Sequence, residues 1–449
     1  MKCINPATEE VIDRVTCDDR RSVHNKFRRL KEGYKRWRGR SYEERFGALV
    51  RMMDELQKRE SELAQILVRE VGTPIVEAQR EVSYVRQRVE QVFAAAQEAV
   101  GQEVVAMGGA SGATVRRVPL GVVAHLSSWH RPLATGVEMM VPALLVGNTV
   151  LYKPSEHTPL TAMMLVDLLR RAGLGEEVVA LVLGDGSMGD FVLDEPVDAV
   201  AYSGSASTGR MVAEKLARRM IPRHIEVGIT QGVYVCEDVD VKAVAERVAE
   251  RAFRGGGPGC RGVDRIYVHE AVARPFTDAL CQRVSTFDVG DPARATTTVG
   301  PVVCARRIGQ LEYQIGDAVQ KGARLLLGGR ARGGRGYFFA PTVLVDVDHR
   351  MLVMREKTPG PVICVQRVCD DAEAVHRLRD VDHGLRAGMI CGDRTRAEQV
   401  LRSLDARGVY WWSGERGNGE GERDLAGVMA GSPHDAVRRF TRPQPWCVG

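Results

Sequence analysis

The sequence predicts an α/β protein built on parallel sheets, and three observations carry this. Apolar strand-like runs alternate with amphipathic helical stretches over 121–227 and again over 265–412. The connections between them are short, which forces parallel strands with helices on both faces. The chain has 449 residues, 44% of them hydrophobic, enough for two or three sizeable cores.

The elements follow in order. Residues 19–100 are helical in pattern. Within 41–72, Phe46, Leu49, Met53, Leu56, Leu63 and Leu67 recur at three- and four-residue spacings, and Gly72 with Pro74 ends the run. A Gly-rich break at 108–113 precedes a short strand, TVRRVPLG. GVVAHLSS then reads as a strand, LATGVEMMVPALLVG as a helix and NTVLYKPS as a strand. TPLTAMMLVDLLRRAG reads as a helix capped by Thr158 and stopped by Gly173. VVALVLGDG, DAVAYSG and RHIEVG complete the first block, and RIYVHE, GPVICVQRV and GVYWW supply strands of the second. A Gly- and charge-rich tail from Ser413 ends in RRFTRPQPWCVG, which reads as an arm strand.

Composition narrows the function classes. Basic residues outnumber acidic ones 63 to 58, and 53 of the basic residues are Arg, spread along the chain among Asp and Glu. The densest basic run, 26–40, carries Tyr34 and Trp37 and reads as a solvated helix face rather than a nucleic-acid surface. The longest apolar stretch, 139–152, has 14 residues, short of the roughly 20 that span a bilayer. The N-terminus has no apolar h-region, so no secretory signal is expected. Ten single cysteines, with no CxxC and no Cys/His cluster, point to free thiols in a reducing, cytoplasmic setting without a metal site.

Three segments carry candidate chemistry. Gly184–Asp185–Gly186–Ser187–Met188–Gly189 is a literal GxGxxG between a strand and a helix, where glycines let a helix N-terminus approach a pyrophosphate. In a chain with 47 Gly such matches also arise by chance. SGSASTG (203–209) is a second turn of this kind. RGGGPGCRG (254–262) places Cys260 on a loop whose backbone N–H groups could face an oxyanion; the alternative is a small buried residue at a turn. Glu226 closes an apolar strand, a setting that would raise its pKa toward a general-base value; the alternative is a surface carboxylate at a strand end.

The order of phrases resembles the aldehyde dehydrogenase superfamily nearly end to end. It starts with NPATEEVI (5–12) and a helical pattern through Trp37, Arg45, Glu70, Gly72 and Pro74. The strongest stretch is VPLGVVAHLSSWHRPLATGVEMMVPALLVGNTVLYKPSEHTPLTA (118–162), similar to PLGVV…PWNFP…PALAAGNTVVLKPSE.TPL. YSGSASTG, IEVGIT, GCRGVDR (259–265), GPVV, GYFFAPTVL, DHGLRAG and GVYWWSG follow in family order.

The resemblance implies a Rossmann-type dinucleotide domain at 1–100 and 120–231, an α/β catalytic domain at 232–415, and an oligomerisation arm at 101–119 and 416–449. It implies a homodimer or homotetramer that oxidises a small-molecule aldehyde to a carboxylic acid, with NAD as cofactor (NADP possible). Cys260 matches the nucleophile and Glu226 the base. Lys153, Ser155 and Glu156 match the adenosine-ribose segment, Ser205 and Gly186 the pyrophosphate turns, and Trp129 the Trp beside the cofactor. Four positions depart from the pattern on the nicotinamide side. His130 stands for the oxyanion-holding Asn, Lys357 for the ribose-binding Glu and Pro359 for the ring-packing Phe, while EVGIT keeps Gly228 but puts Ile229 at the second Gly. These departures imply weak NAD binding dominated by the adenosine half. Besides aldehyde oxidation, two alternatives stand: a catalytically impaired or repurposed member with a structural or regulatory role, and Cys-dependent acyl transfer or ester hydrolysis without redox.

Overall fold

The computed structural model describes residues 1–100, 103–106, 112–228, 230–253, 263–381, 384–406, 408–414 and 432–447. The chain opens with an antiparallel hairpin, Lys2–Ile4 with Val11–Arg14, followed by four helices at Arg20–Gly39, Tyr42–Lys58, Glu60–Val71 and Ile75–Ala99. Asp19 caps the first, and Ser41 with Glu44 forms a reciprocal capping box on the second. The single run expected over 41–72 is two helices. Between Leu56 and Leu63, both buried, lie six polar residues. With nothing apolar to bury there, the backbone turns at Arg59, whose guanidinium bonds Glu62 and Asp167. Gly72 then stops the chain at φ 81° in the left-handed region.

A five-stranded parallel sheet follows, in the order Val179–Leu181, Thr149–Lys153, Val122–Leu126, Ala199–Gly204, Arg223–Val227. The chain starts in the centre, runs two strands one way, then returns to build the other side. The reversal opens a crevice at the carboxyl ends beside Val122–Leu126. One face packs on the helices Pro132–Leu145 and Pro159–Arg171, the other on Arg20–Gly39, Gly186–Asp194 and Ala206–Leu216. Trp37 Nε1 (3.0 Å) and Arg45 Nε (2.8 Å) donate to the carbonyls of Leu144 and Leu145, satisfying the buried C-terminal end of the helix Pro132–Leu145.

Thr158 stands at the N-cap of Pro159–Arg171, as expected, but its hydroxyl makes no cap bond. The cap comes from the distant Glu70, whose carboxylate accepts from Leu160 N (2.6 Å), Thr161 N (2.9 Å) and Thr161 Oγ1 (2.6 Å).

The second sheet has seven strands: Arg324–Leu327, Thr342–Val345, Val362–Val368, Arg265–His269, Thr230–Val235, Leu385–Ile390 and Gly408–Trp412 in spatial order, all parallel except the first. Thr230 and Gln231 pair with Leu385 and Arg386, so this sheet begins two residues before the boundary drawn at 231. A third, antiparallel sheet joins Thr441–Cys447, Gly112–Pro119 and Glu103–Ala106, with Thr441 opposite Pro119 and Cys447 opposite Ala113. The two segments expected to form an arm thus share one sheet. No helix of the described residues is long and apolar enough to cross a membrane.

Candidate active site

The candidate residues gather at the carboxyl edge of the five-stranded sheet. Trp129 and His130 follow the central strand, Lys153 ends its neighbour with Ser155 and Glu156 just beyond, Ser205 follows the next, and Glu226 is the penultimate residue of the last. Two contacts reach across from the seven-stranded unit. Arg307, on the helix Ala305–Gln320, lies 5.6 Å over the Trp129 ring, and a Cβ on Gly228 would sit 3.8 Å from Lys357 Cγ. The crevice therefore has a wall from each unit, the usual setting for a ligand between domains.

The adenosine side fits a dinucleotide. Lys153 is buried; burial lowers its pKa against the pull of Glu156 and Asp185, and Nζ spends one donor on Pro154 O at 2.7 Å. Ser155 accepts from His157 N at 3.2 Å, which shapes the turn so that the Glu156 carboxylate, 44% exposed, looks outward. The two glycine turns differ. At Gly186 an added Cβ would meet open space, so no close approach requires the glycine; Gly184, at φ 145°, is the position that does. The helix behind that turn is capped by Asp185, whose carboxylate Ser187 holds below its ordinary range through side-chain and backbone hydrogen bonds. That N-terminus already faces a negative charge. The helix Ala206–Leu216 is capped instead by the neutral Ser205, accepting from Thr208 N at 3.2 Å, with Ser207 and Thr208 exposed beside it. Of the two, the second is suited to an anion.

The nicotinamide side carries a feature that the sequence did not suggest. Lys357 Nζ donates to Asp264 Oδ2, and the Asp264 side chain is only 8% exposed. Lys357 does not simply reverse a charge: a buried carboxylate beside it balances the ammonium. Burial raises the Asp264 pKa, opposed by the charge of Lys357. No local pattern announces this pair, whose members are 93 residues apart. His130 N donates to Ser128 Oγ at 3.0 Å, and its ring meets Trp129 edge-on at 5.9 Å.

Glu226 departs from expectation in direction. Burial does push its pKa up, but the hydrogen bond from His224 and the charges of His224 and Arg439 outweigh it and hold the carboxyl below its ordinary value. His224 Nε2 lies 2.7 Å from Glu226 Oε1, and Arg439 Nη1 donates to the same oxygen at 3.2 Å. Cys260 and Ile229 lie outside the described residues. Eight other cysteines are free thiols; Cys304 is unusual among them, because the hydrogen bond and charge of His157, with Arg307, lower its pKa against burial.

A parallel sheet that reverses beside a neutral helix N-terminus, with a buried lysine and an outward carboxylate on the adjoining strand end, defines a dinucleotide-binding α/β protein. Comparison with known proteins makes this specific. The aldehyde dehydrogenase family model matches residues 1–430. Betaine aldehyde dehydrogenase of Vibrio vulnificus is 30% identical over 413 residues, covering 91% of this chain and 85% of that protein. Succinate-semialdehyde dehydrogenase from Burkholderia pseudomallei superposes with a TM-score of 0.93 at 28% identity, over 100% of this chain and 94% of that one. PnpE, solved in complex with nicotinamide adenine dinucleotide, does so with a TM-score of 0.92 at 25% identity, over 100% and 94%. The chain belongs to the aldehyde dehydrogenase family. It is an oxidoreductase that acts on aldehydes with NAD(P).

Proposed function

We propose that the chain oxidises an aldehyde to a carboxylic acid through Cys260, with Glu226 as base and NAD as the preferred cofactor. The observation that supports this most is the convergence of Trp129, Lys153, Glu156, Ser205 and Glu226 on one sheet edge. Lys153, Ser155 and Glu156 would hold the adenosine ribose, Ser205 the pyrophosphate, and Trp129, Gly228 and Lys357 would border the nicotinamide half. Gly186 is left a turn residue. Bound there, the cofactor supplies the hydride acceptor. An exposed carboxylate at Glu156 accepts from a 2′-hydroxyl and repels a 2′-phosphate, which supports NAD over NADP.

The chain's own groups divide the remaining work. The Cys260 thiolate adds to the carbonyl carbon, and an N–H of His130 faces the oxygen that becomes negative. Glu226, ionised at neutral pH, accepts the proton of the water that hydrolyses the thioester on Cys260, releasing the acid and restoring the thiol. Turnover is slow, because Lys357 offers donors where a ribose needs an acceptor and Pro359 provides no ring. The three-stranded arm supports a homodimer or homotetramer, and the unpaired cysteines support a cytoplasmic protein.

The test is initial-rate measurement of reduced nicotinamide with NAD and with NADP, using a cationic aldehyde (betaine aldehyde) and an anionic one (succinate semialdehyde). NAD-linked oxidation that disappears in Cys260→Ala supports the assignment. A Cys260→Ala enzyme as active as the unmodified protein would overturn it.

A further inference from the structure

We propose that Arg439, reaching in from the C-terminal segment, is the positioning residue that fixes the Glu226 carboxylate for proton transfer, with His224 as the exchangeable third member of the cluster. This rests on Glu226 being the base of the reaction described above.

The terminal segment is built to place this side chain. Arg439 follows the short helix Pro433–Arg438 and precedes the strand Thr441–Cys447. Its backbone is clamped on both sides: Asn148 Nδ2 donates to Phe440 O at 3.0 Å, and Thr441 Oγ1 donates to Arg438 O at 2.8 Å. The guanidinium is 18% exposed, whereas the Glu226 side chain it meets is 40% exposed. The cation is thus more enclosed than the carboxylate it holds, which keeps solvent access. Nη1 lies 3.2 Å from Glu226 Oε1 and 2.6 Å from His224 Nε2, with the Met139 thioether at 4.0 Å.

His224 Nε2 is one nitrogen between two partners, so it serves only one at a time. Protonated, it donates to Oε1 across 2.7 Å; unprotonated, it accepts from Arg439. In either state Oε1 keeps a donor, because Arg439 bonds it directly. Among the described residues both contacts fall on Oε1, which assigns Oε2 as the oxygen that takes the proton.

Other groups around the strand Arg223–Val227 do not duplicate this role. Ala201 and Ser203 on the adjoining strand pair with His224 and Glu226. His125, two strands away on the same face, is 1% exposed; burial drives its pKa down to about 3 against the pull of Glu226, so it is neutral. The helix Ala206–Leu216 packs on the opposite face, where Gly209 meets Val227 and Ile225. Among the described residues Arg439 is the arginine or lysine in contact with the carboxylate.

The experiment compares the unmodified protein with Arg439→Lys, Arg439→Gln and Arg439→Met by two readouts. One is the pH dependence of kcat/KM. The other is the titration of the Glu226 carboxyl by carbon NMR in protein labelled at the glutamate side-chain carbonyl, with Glu226→Gln assigning the signal. An opposite charge at this distance lowers a carboxyl pKa by about one unit or more. In both neutral variants the acidic limb and the NMR midpoint therefore move to higher pH together. At a pH below the limb, kcat/KM falls roughly 10-fold, while on the alkaline plateau it stays within about twofold; Arg439→Lys restores most of the shift. A Glu226 midpoint unchanged in both neutral variants overturns the proposal. A midpoint that moves while Glu226→Gln keeps full activity upholds the hold of Arg439 on the carboxylate and overturns the base assignment instead.

Discussion

Lys357 and Asp264 show how one pair of side chains changes the expected result of a substitution. Restoring a carboxylate at 357 alone would set it against Asp264, whose ion-pair partner it removes. Breaking one side of a buried pair costs roughly 3–5 kcal/mol. Since Lys357 keeps partial solvent access, Lys357→Glu is expected near the lower end, about 3 kcal/mol, by denaturant unfolding. Lys357→Glu with Asp264→Ser recovers most of that loss and binds NAD more tightly than the unmodified protein in a nicotinamide fluorescence titration. Equal stability of the single and double variants would show that the pair contributes nothing. Cys304 gives a second residue-scale expectation. Its thiolate is favoured by His157 and Arg307, so at neutral pH it is alkylated by iodoacetamide, and His157→Ala slows that labelling several-fold in a peptide map.

The capping of Pro159–Arg171 by Glu70 is the corresponding case for an element. Pro159 has no N–H, so the first orphan donors are Leu160 and Thr161, and both bond to the distant carboxylate. Glu70→Ala leaves both unpaired, Thr161 buried and Leu160 half-buried, at a cost of about 1–3 kcal/mol. Burial also raises the Glu70 pKa from 4.5 to about 7, although its three hydrogen bonds oppose the shift. Between those values the folded chain holds a proton that the unfolded chain has released, so stability falls as pH rises from about 4.5 to about 7. Thermal melts across that range are expected to show a flatter decline in Glu70→Gln; an identical slope would refute the coupling. What was legible in the sequence follows from the same physics. Strand ends such as Tyr152–Lys153 and Ile225–Glu226 were readable because a short apolar run closes there and polar residues begin. The Glu70 cap and the Lys357 partner were not, because each depends on a residue brought near only by the folded chain; the break at Arg59 lies in the polar run 57–62, where the apolar spacing from Leu56 to Leu63 hides it. Local periodicity says nothing of a neighbour 90 or more residues away.

For the whole molecule, the three sheets set what can assemble and when. Thr441–Cys447 is the outer strand of its sheet and carries Pro443 and Pro445 at alternate positions. Proline is tolerated in a paired strand only where its missing N–H faces outward, so this edge is poor in donors and resists further strand addition. Replacing both prolines with valine is expected to produce larger species than the unmodified protein in light scattering. An unchanged mass would show that the prolines do not guard the edge, and a monomeric unmodified protein would overturn the arm's role in assembly. The contact between Arg439 and Glu226 adds a constraint in time. The two residues are separated by 213 positions, so a chain growing at about 5–20 residues per second exposes its carboxylate roughly 10–40 s before the guanidinium is made. Throughout that interval the first sheet can fold around a carboxylate that is not yet held. The order of synthesis thus separates the sheet from its clamp, and a transcript that stops short of codon 439 would leave the Glu226 carboxylate without its guanidinium.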